Sequence, residues 1–291
     1  MNCLSSEPSW ISFVNSLDLS PKINDHEAAK TALNSAIITS LKLKLNPDTA
    51  ILFSGGIDST LVAYLSKQRG HNLPCYSFGF PNSPDIEYAR KIAKEYGFAL
   101  KEHLISQEEL KSAIPEAIKL LKTTDIIKIS IGALMVIACK EAKKDKIKTL
   151  LTGSGTEDTL AGYQKHSKAL KNNTLAAELK QGLLTLYERD LSRDLTIAQH
   201  FGIELDSPYL DETYIKTAIS INNKFKINQQ HRKLILRELA LDLGIREEFS
   251  FRKKVAAQYG SRILKEMDKL ARKKGFKRKE EWLQDLKDNF K

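Results

Sequence analysis

Apolar residues first fall at helical spacing between residues 26 and 44, where Ala28, Ala32, Ile37, Ile38 and Leu41 share a face before the Asn46-Pro47 turn. A short buried strand is predicted for Thr49 to Phe53. A helix follows through Leu61, Val62, Tyr64 and Leu65 to Gly70. Leu73 to Phe80 predicts a second strand, and the turn Pro81-Asn82-Ser83-Pro84-Asp85 opens a helix through Ala89, Ile92 and Ala93 to Gly97. An extended piece near Phe98 to Leu104 precedes a helix over Gln107 to Leu121. Residues 130 to 143 read as an apolar helix, and Lys148 to Thr152 as another buried strand. Strands alternating with helices predict an α/β protein with a doubly wound parallel sheet. Beyond about residue 175 strand signals fade. Segments 176 to 200, 211 to 221, 230 to 243 and 262 to 274 predict a mostly helical C-terminal subdomain. No internal repeat or low-complexity linker interrupts the pattern, so one compact unit with a helical subdomain is expected.

Composition narrows the class. The 291 residues are 42% hydrophobic and 28% charged, ordinary values for a globular chain with a substantial core. No run of about 18 apolar residues predicts a membrane span, and no charged-then-apolar leader opens the chain, so a cytoplasmic protein is expected. Cys3, Cys75 and Cys139 are widely spaced and form no C-x-x-C pair, which favours reduced thiols over a metal site or disulfide frame. Cys75 and Cys139 lie in apolar runs and are expected in the core. The net charge of +10 suits polyanionic partners, ATP among them, and leaves RNA open. Basic residues are in excess from Arg262 onward, yet Trp282, Leu283 and Leu286 recur at helical spacing there. That predicts a solvated helix docked on the body rather than a nucleic-acid arm.

Chemistry concentrates in two glycine loops. Ser54-Gly55-Gly56-Ile57-Asp58-Ser59-Thr60 follows the first strand and leads into a helix. Glycines let the backbone approach an anion, and the N–H groups of the next helix point at it. Ser54, Ser59 and Thr60 add hydroxyl donors, and Asp58 is placed to hold a divalent cation against phosphates. No G-x-x-x-x-G-K-[ST] loop occurs anywhere in the chain. The second loop, Thr152-Gly153-Ser154-Gly155-Thr156-Glu157-Asp158, follows the strand at Lys148 to Thr152 and carries two adjacent acids that could complete a Mg²⁺ site with Asp58. In a doubly wound sheet both loops lie beyond the carboxyl ends of strands, where ligands bind.

The first loop resembles the PP-loop, S-G-G-x-D-S/T, of ATP pyrophosphatases. With the second loop, which continues to Leu160-Ala161-Gly162-Tyr163, the chain resembles the synthetase domain of asparagine synthetases. Ser77-Phe78-Gly79-Phe80 with Ser83-Pro84-Asp85, Thr124-Asp125, Pro208-Tyr209-Leu210-Asp211, Lys233-Leu234-Ile235-Leu236-Arg237 and Arg252-Lys253-Lys254 extend the likeness over roughly residues 45 to 265. The resemblance implies a PP-loop ATP pyrophosphatase fold over residues 46–265, with an N-terminal helical segment, 1–45, and a basic helical tail, 266–291. It implies ATP and Mg²⁺. Leu52, Phe80 and Gly153 would contact adenine largely through backbone groups. Ser54, Gly55, Gly56, Asp58, Ser59 and Thr60 would hold pyrophosphate and metal, Glu157 or Asp158 would complete the metal shell, and Lys254 would stabilise charge as pyrophosphate leaves. Asp125, Arg193, Asp211 and Lys233 match family segments near the substrate. Arg189-Asp190 and Arg193-Asp194, on a predicted helix with charges at i,i+4, fit either a salt-bridged face or a family-like segment lining the cleft, with Arg193 the better cleft candidate.

The implied reaction adenylates a carboxylate, aspartate foremost, and passes it to ammonia with release of AMP and pyrophosphate. The pattern also departs from the family's. Asparagine synthetases that use glutamine begin Met-Cys-Gly on a long N-terminal domain, whereas this chain begins Met1-Asn2-Cys3 and its PP-loop starts 53 residues in. Cys3 is therefore expected to be incidental, and ammonia to come free or from a separate glutaminase subunit. Ser154 stands where the family's G-E-G glutamate is, and Asp206 where an arginine is expected. Stand-alone asparagine synthetase domain-containing proteins also lack the G-E-G glutamate, and the chain resembles them more closely, sharing the Leu160-Ala161-Gly162-Tyr163 wording and the Gln258-Tyr259-Gly260-Ser261-Arg262 stretch. The alternatives are a PP-loop tRNA-modifying enzyme and a non-catalytic ATP-binding partner. A homo-oligomer is left open. His103, His166, His200 and His231 show no ligand spacing.

Overall fold

The computed structural model describes residues 6–42, 44–253 and 256–289. Two helices lead in, α1 (Glu7–Asn15) and α2 (His26–Lys42). The alternating part follows as β1 (Thr49–Leu52), α3 (Ile57–Gln68), β2 (Cys75–Gly79), α4 (Pro84–Tyr96), β3 (Leu100–Leu104), α5 (Gln107–Leu121), α6 (Ile126–Lys144) and β4 (Thr149–Leu151). Short helices α7 (Thr156–Thr159) and α8 (Gln164–Lys171) come next, then α9 (Leu175–Leu186), α10 (Ser192–Phe201) and β5 (Glu204–Asp206). The rest is helical: α11 (Glu212–Ser220), α12 (Asn223–Lys226), α13 (Leu234–Asp242), α14 (Glu247–Ser250), α15 (Ala257–Gly260), α16 (Ile263–Lys273) and α17 (Lys279–Asp288).

The five strands are parallel and lie in the order β3-β2-β1-β4-β5. Chain order runs outward from β1 to β3, then returns to the other side of β1. The switch point therefore lies between β1 and β4, and the two glycine loops leave the sheet on either side of it. Strand residues alternate between two cores, as the period of two demands. Ile51, Cys75 and Leu151 face one apolar cluster, with α2, α3, α11 and α13 contributing Leu33, Leu61, Tyr214 and Leu236. Ala50, Tyr76 and Leu150 face the other, filled by α5, α6 and α16. Both faces are covered, which is why these strands read as continuous apolar runs.

The doubly wound parallel sheet expected from the pattern is present, as is the helical C-terminal part. Trp282 and Leu283 are buried in the second cluster, so the basic tail does dock on the body. Each fully buried large apolar side chain contributes roughly 1.5–3 kcal/mol. Cys75 and Cys139 are buried free thiols whose pKa values burial pushes up to about 12. Cys3 lies outside the described residues. No helix among the described residues is long and apolar enough to cross a membrane.

Three differences from the predicted elements have physical causes. The strand β5 was not expected because Glu204-Leu205-Asp206 is short and polar. Its backbone pairs with β4 at the sheet edge, where one face needs little apolar cover. Helix α1 turns Trp10, Phe13 and Val14 toward the core, a stripe confined to little more than one turn and so too short to stand out as periodicity. It is held by the Ser6 cap and by the Trp10 indole donating to Leu183 O at 2.7 Å. The predicted 176–200 helix is two helices joined by one π-helical turn, Tyr187–Leu191, which shifts the phase of Arg189 and Asp190.

Lys226 on α12 is 1% exposed, and its ammonium makes a 3.5 Å contact with Ile219 O. Burial pushes its pKa down from 10.5 to about 7. Between pH 7 and 10.5 the unfolded chain holds this proton and the folded chain does not, so folding stability rises with pH across that window and is lowest below it. Lys226→Met is therefore expected to stabilise the protein by about 1–3 kcal/mol at pH 6, with the gain shrinking toward pH 10. Urea unfolding of both proteins at the two pH values checks this. An equal difference at both would show that Lys226 keeps its proton in the fold.

Candidate active site

The first glycine loop is shaped by contacts that only glycine allows. Gly55 has φ +63°, and a Cβ there would lie 3.0 Å from Ala89 N and 3.2 Å from the Arg252 guanidinium. Arg252 donates to Ser54 O at 3.2 Å and Gly55 O at 2.8 Å, lies 3.7 Å over the Tyr88 ring and reaches Asp85 at 3.3 Å. Asp85 in turn packs on Gly260, where a Cβ would come within 2.3 Å of its carboxylate. The S-P-D segment thus anchors the clamp on the loop. Ser54 N donates to Ser59 Oγ at 3.3 Å and Gly56 N to Ser54 Oγ at 3.4 Å, which orients both hydroxyls at the start of α3. The first N–H groups of a helix have no intrahelical acceptor, and they carry the positive end of its dipole. Thr60 Oγ1, one turn in, is buried with no hydrogen-bond partner among the described residues.

The second loop presses on the first. A Cβ on Gly153 would lie 2.7 Å from the Asp58 Cβ and 3.2 Å from Ser59 N, so the two loops touch backbone to backbone. Gly155 sits at φ +109° against Tyr209 O. Tyr209, fully buried, donates its hydroxyl to Asp58 O at 2.9 Å. Ser207 donates to Ser154 O at 2.7 Å. Loops from both sides of the switch point are thereby locked to one another.

Acids and a lysine meet at the junction. Thr156 Oγ1 lies 2.7 Å from Asp58 Oδ1 and 3.1 Å from Glu157 Oε2. Lys233, 5% exposed, places Nζ 2.8 and 2.9 Å from the Asp58 oxygens, 2.8 Å from Thr156 Oγ1 and 2.6 Å from Glu157 Oε1. Burial pushes the Lys233 pKa down, but the charges of Asp58 and Glu157 outweigh it and hold the ammonium above its ordinary value. The matched K-x-I-L-R segment thus delivers its lysine to the acids of the two loops.

Of the two adjacent acids, the fold brings only Glu157 to Asp58. Asp158 is fully buried and its Oδ2 pairs with Arg189 at 2.7 Å. Its Oδ1, facing Gly182, has no partner among the described residues. Burial raises the Asp158 pKa, and Arg189 opposes that rise. Arg189 also donates to the Tyr163 hydroxyl at 3.1 Å and stacks on that ring, centroid distance 5.1 Å. Arg193, singled out from the sequence, instead pairs with Asp194 at 2.7 Å and Asp190 at 3.5 Å. The π-helical turn, invisible to a 3.6-residue period, is what brings Arg189 rather than Arg193 to the second loop.

The remaining candidates scatter. Asp125 is exposed and caps α6, accepting from Lys128 N at 2.7 Å, and Asp211 caps α11. Leu52 is half-buried at the end of β1. Phe80 is buried in the second core and its N–H donates to Ser261 O at 3.0 Å. Asp206 forms an ion pair with Lys44, so the acid at the expected arginine position is neutralised within the fold. His166 is buried, and its Nδ1 accepts from Tyr163 N at 3.1 Å. Burial pushes its pKa down to about 4, leaving it neutral at pH 7. Lys254 lies outside the described residues. Thr156, Tyr209 and Arg252 were quoted within motifs without a role. Their signal was position in a matched segment, and only the fold shows what each one holds.

The donor set of Asp58, Glu157 and Thr156 is all oxygen, which suits Mg²⁺. Thr60 Oγ1, the unpartnered buried hydroxyl, fits a phosphate at the α3 N-terminus.

The asparagine synthase family model matches residues 33–185 and 171–285. A Methanocaldococcus jannaschii protein named "putative asparagine synthetase (glutamine-hydrolyzing) 1" is 29% identical over 299 residues, covering 89% of this chain and 54% of that protein. Asparagine synthetase B (glutamine-hydrolyzing) of Escherichia coli is 28% identical over 234 residues, 74% of this chain and 42% of its own length. Asparagine synthetase (glutamine-hydrolyzing) 1 of Arabidopsis thaliana is 27% identical over 210 residues, 69% and 36%. The chain spans about half the length of these relatives, or less.

Proposed function

The chain belongs to the asparagine synthase family, and on that premise we propose that it is an ATP-dependent, AMP-forming amide ligase acting on a small carboxylate, aspartate foremost. The observation that carries this reading is the meeting of Asp58, Thr156 and Glu157 where two glycine loops touch at the switch point. Ser54, Gly55, Gly56, Ser59 and Thr60 hold the β and γ phosphates through hydroxyls and the N–H groups that open α3. Leu52, Phe80 and Gly153 border the adenine; the Phe80 N–H donates to Ser261 O and its carbonyl accepts from Ser83 N, which fixes the backbone at that edge. Asp58 and Glu157 hold Mg²⁺, which when bound neutralises charge on the phosphates.

In the first half-reaction a carboxylate oxygen of the substrate attacks the α phosphorus, and the bond to the β-phosphate oxygen breaks. Pyrophosphate leaves toward the start of α3, where the helix dipole and hydroxyls meet its developing charge. In the second, ammonia attacks the acyl carbon and AMP departs with the acyl oxygen it had gained. Lys254, by its place in the R-x-K segment, supplies positive charge as pyrophosphate forms. Ser154 offers no carboxylate to take the proton that the attacking ammonia loses, so that proton passes to water; the nitrogen donor in this reading is ammonia, free or from a separate glutaminase.

Pyrophosphate release from ATP and Mg²⁺ tests the reading. It should require aspartate, or another small carboxylate, and ammonium for amide to accumulate, and glutamine should not replace ammonium with this chain alone. Release that depends on tRNA and ignores carboxylates would move the protein to RNA modification. ATP binding without release under any of these conditions would leave a nucleotide-binding partner.

A further inference from the structure

Lys233 occupies the place that the reading above assigns to a divalent ion. Four oxygens from three side chains surround its ammonium at 2.6 to 2.9 Å, one more acceptor than it has N–H groups. Two carboxylates and a hydroxyl converging on one point are the ligands a hard cation takes, and Mg²⁺ would draw such oxygens to 2.0–2.1 Å. The two cations compete for the same four oxygens. A doubly and a singly charged ion about 4 Å apart repel by roughly 8 kcal/mol even at an effective dielectric of about 20.

We propose that Lys233 is a resident counter-cation: its ammonium keeps the Asp58, Thr156 and Glu157 oxygens assembled in the empty enzyme and must leave the cage before a divalent ion enters. The inference rests on the metal-and-phosphate reading of this site, and it adds an ordering to that reading.

The surroundings suit a side chain that moves. The lysine stem passes over Gly162, where a Cβ would lie 2.5 Å from its Cε, so the glycine leaves a channel. Lys233 itself has φ +54°, a left-handed conformation costing a non-glycine residue about 1–2 kcal/mol. Its cage contacts offset that strain. One consequence is selectivity in time. A free divalent ion must displace a bonded ammonium unaided, whereas an ion arriving on a triphosphate brings its own negative charge for the displaced lysine. The protein thus binds metal weakly alone and more tightly with nucleotide.

Mn²⁺ binding to the full chain without nucleotide, followed by the loss of the free Mn²⁺ electron paramagnetic signal, tests this. Lys233→Met should bind Mn²⁺ at least about 10-fold tighter than wild type, and Lys233→Arg, which keeps the charge, should stay weak. Removing the ammonium that pairs with Asp58 and Glu157 should also make the melting temperature of Lys233→Met rise more with added Mn²⁺ than that of wild type. If Lys233→Met fails to fold without metal and folds when Mn²⁺ is supplied, the inference is supported. Equal or weaker Mn²⁺ binding by folded Lys233→Met overturns it while leaving the metal reading intact. No Mn²⁺ binding by any of the three proteins overturns it as well. Tighter binding by Lys233→Met together with no pyrophosphate release under any condition would sustain the cage and dismiss the proposed reaction.

Discussion

Asp58→Asn is expected to lower pyrophosphate release from ATP by about 10³-fold or more, with the fold intact. The substitution keeps size and one acceptor oxygen for Thr156 Oγ1, but removes the charge and replaces the second oxygen that accepts from Lys233 with an amide donor. Charge that is preorganised where phosphate charge shifts is worth on the order of 3–4 kcal/mol per group in a water-poor site. Lys233 keeps Glu157 and Thr156 as partners, so the ammonium is not stranded. Glu157→Gln should follow the same direction with a smaller loss. Asp158→Asn should cost less than tenfold, because that carboxylate is committed to Arg189. Steady-state pyrophosphate release, with circular dichroism to confirm folding, decides among the three. An Asp58→Asn protein within tenfold of wild type would remove Asp58 from the metal and phosphate machinery, and an Asp158→Asn protein as impaired as Asp58→Asn would restore the acid that the geometry sets aside.

Arg189→Met is expected to destabilise the protein by about 3–5 kcal/mol at pH 8. Asp158 is fully buried, with one oxygen on Arg189 and the other without a partner among the described residues, so truncating the guanidinium strands a carboxylate in the interior. Burial already holds the Asp158 pKa above its ordinary 3.8, and loss of Arg189 pushes it further up. A group whose folded pKa is raised binds its proton more tightly in the fold. Its contribution is therefore most favourable at low pH and is lost as pH rises from 3.8 through the folded pKa. The cost of Arg189→Met should accordingly shrink at pH 5, and Arg189→Met combined with Asp158→Asn should recover most of it at pH 8. Urea unfolding of the single and double variants at both pH values measures this. A cost below about 1 kcal/mol at both would show that Asp158 is already protonated in the native protein.

The sequence alone determined the sheet, because strands covered on both faces leave continuous apolar runs and the helices between them leave a 3.6-residue stripe. Thr49 to Leu52 and Cys75 to Gly79 fell inside the predicted strands, and Gln107 to Leu121 was read with the observed bounds. It also marked both glycine loops, since a backbone that must approach an anion or another backbone excludes Cβ, and Gly55, Gly153 and Gly155 show that exclusion directly. Edge strand β5 escaped because pairing there is a backbone matter that polar side chains do not report.

What only the tertiary structure decided is partnership. Adjacent acids Glu157 and Asp158 look alike in sequence, yet one faces Asp58 across the switch point and the other is turned into the interior against Arg189. Arg189 pairs with Asp158 on the second loop while Arg193 pairs with Asp190 and Asp194, and a π-helical turn sets their phase. Lys233, distant in sequence from Asp58, becomes its ion-pair partner at 2.8 Å. Local pattern encodes which face a residue presents. Which charges meet depends on how distant segments close over the sheet, and no local pattern carries that distance.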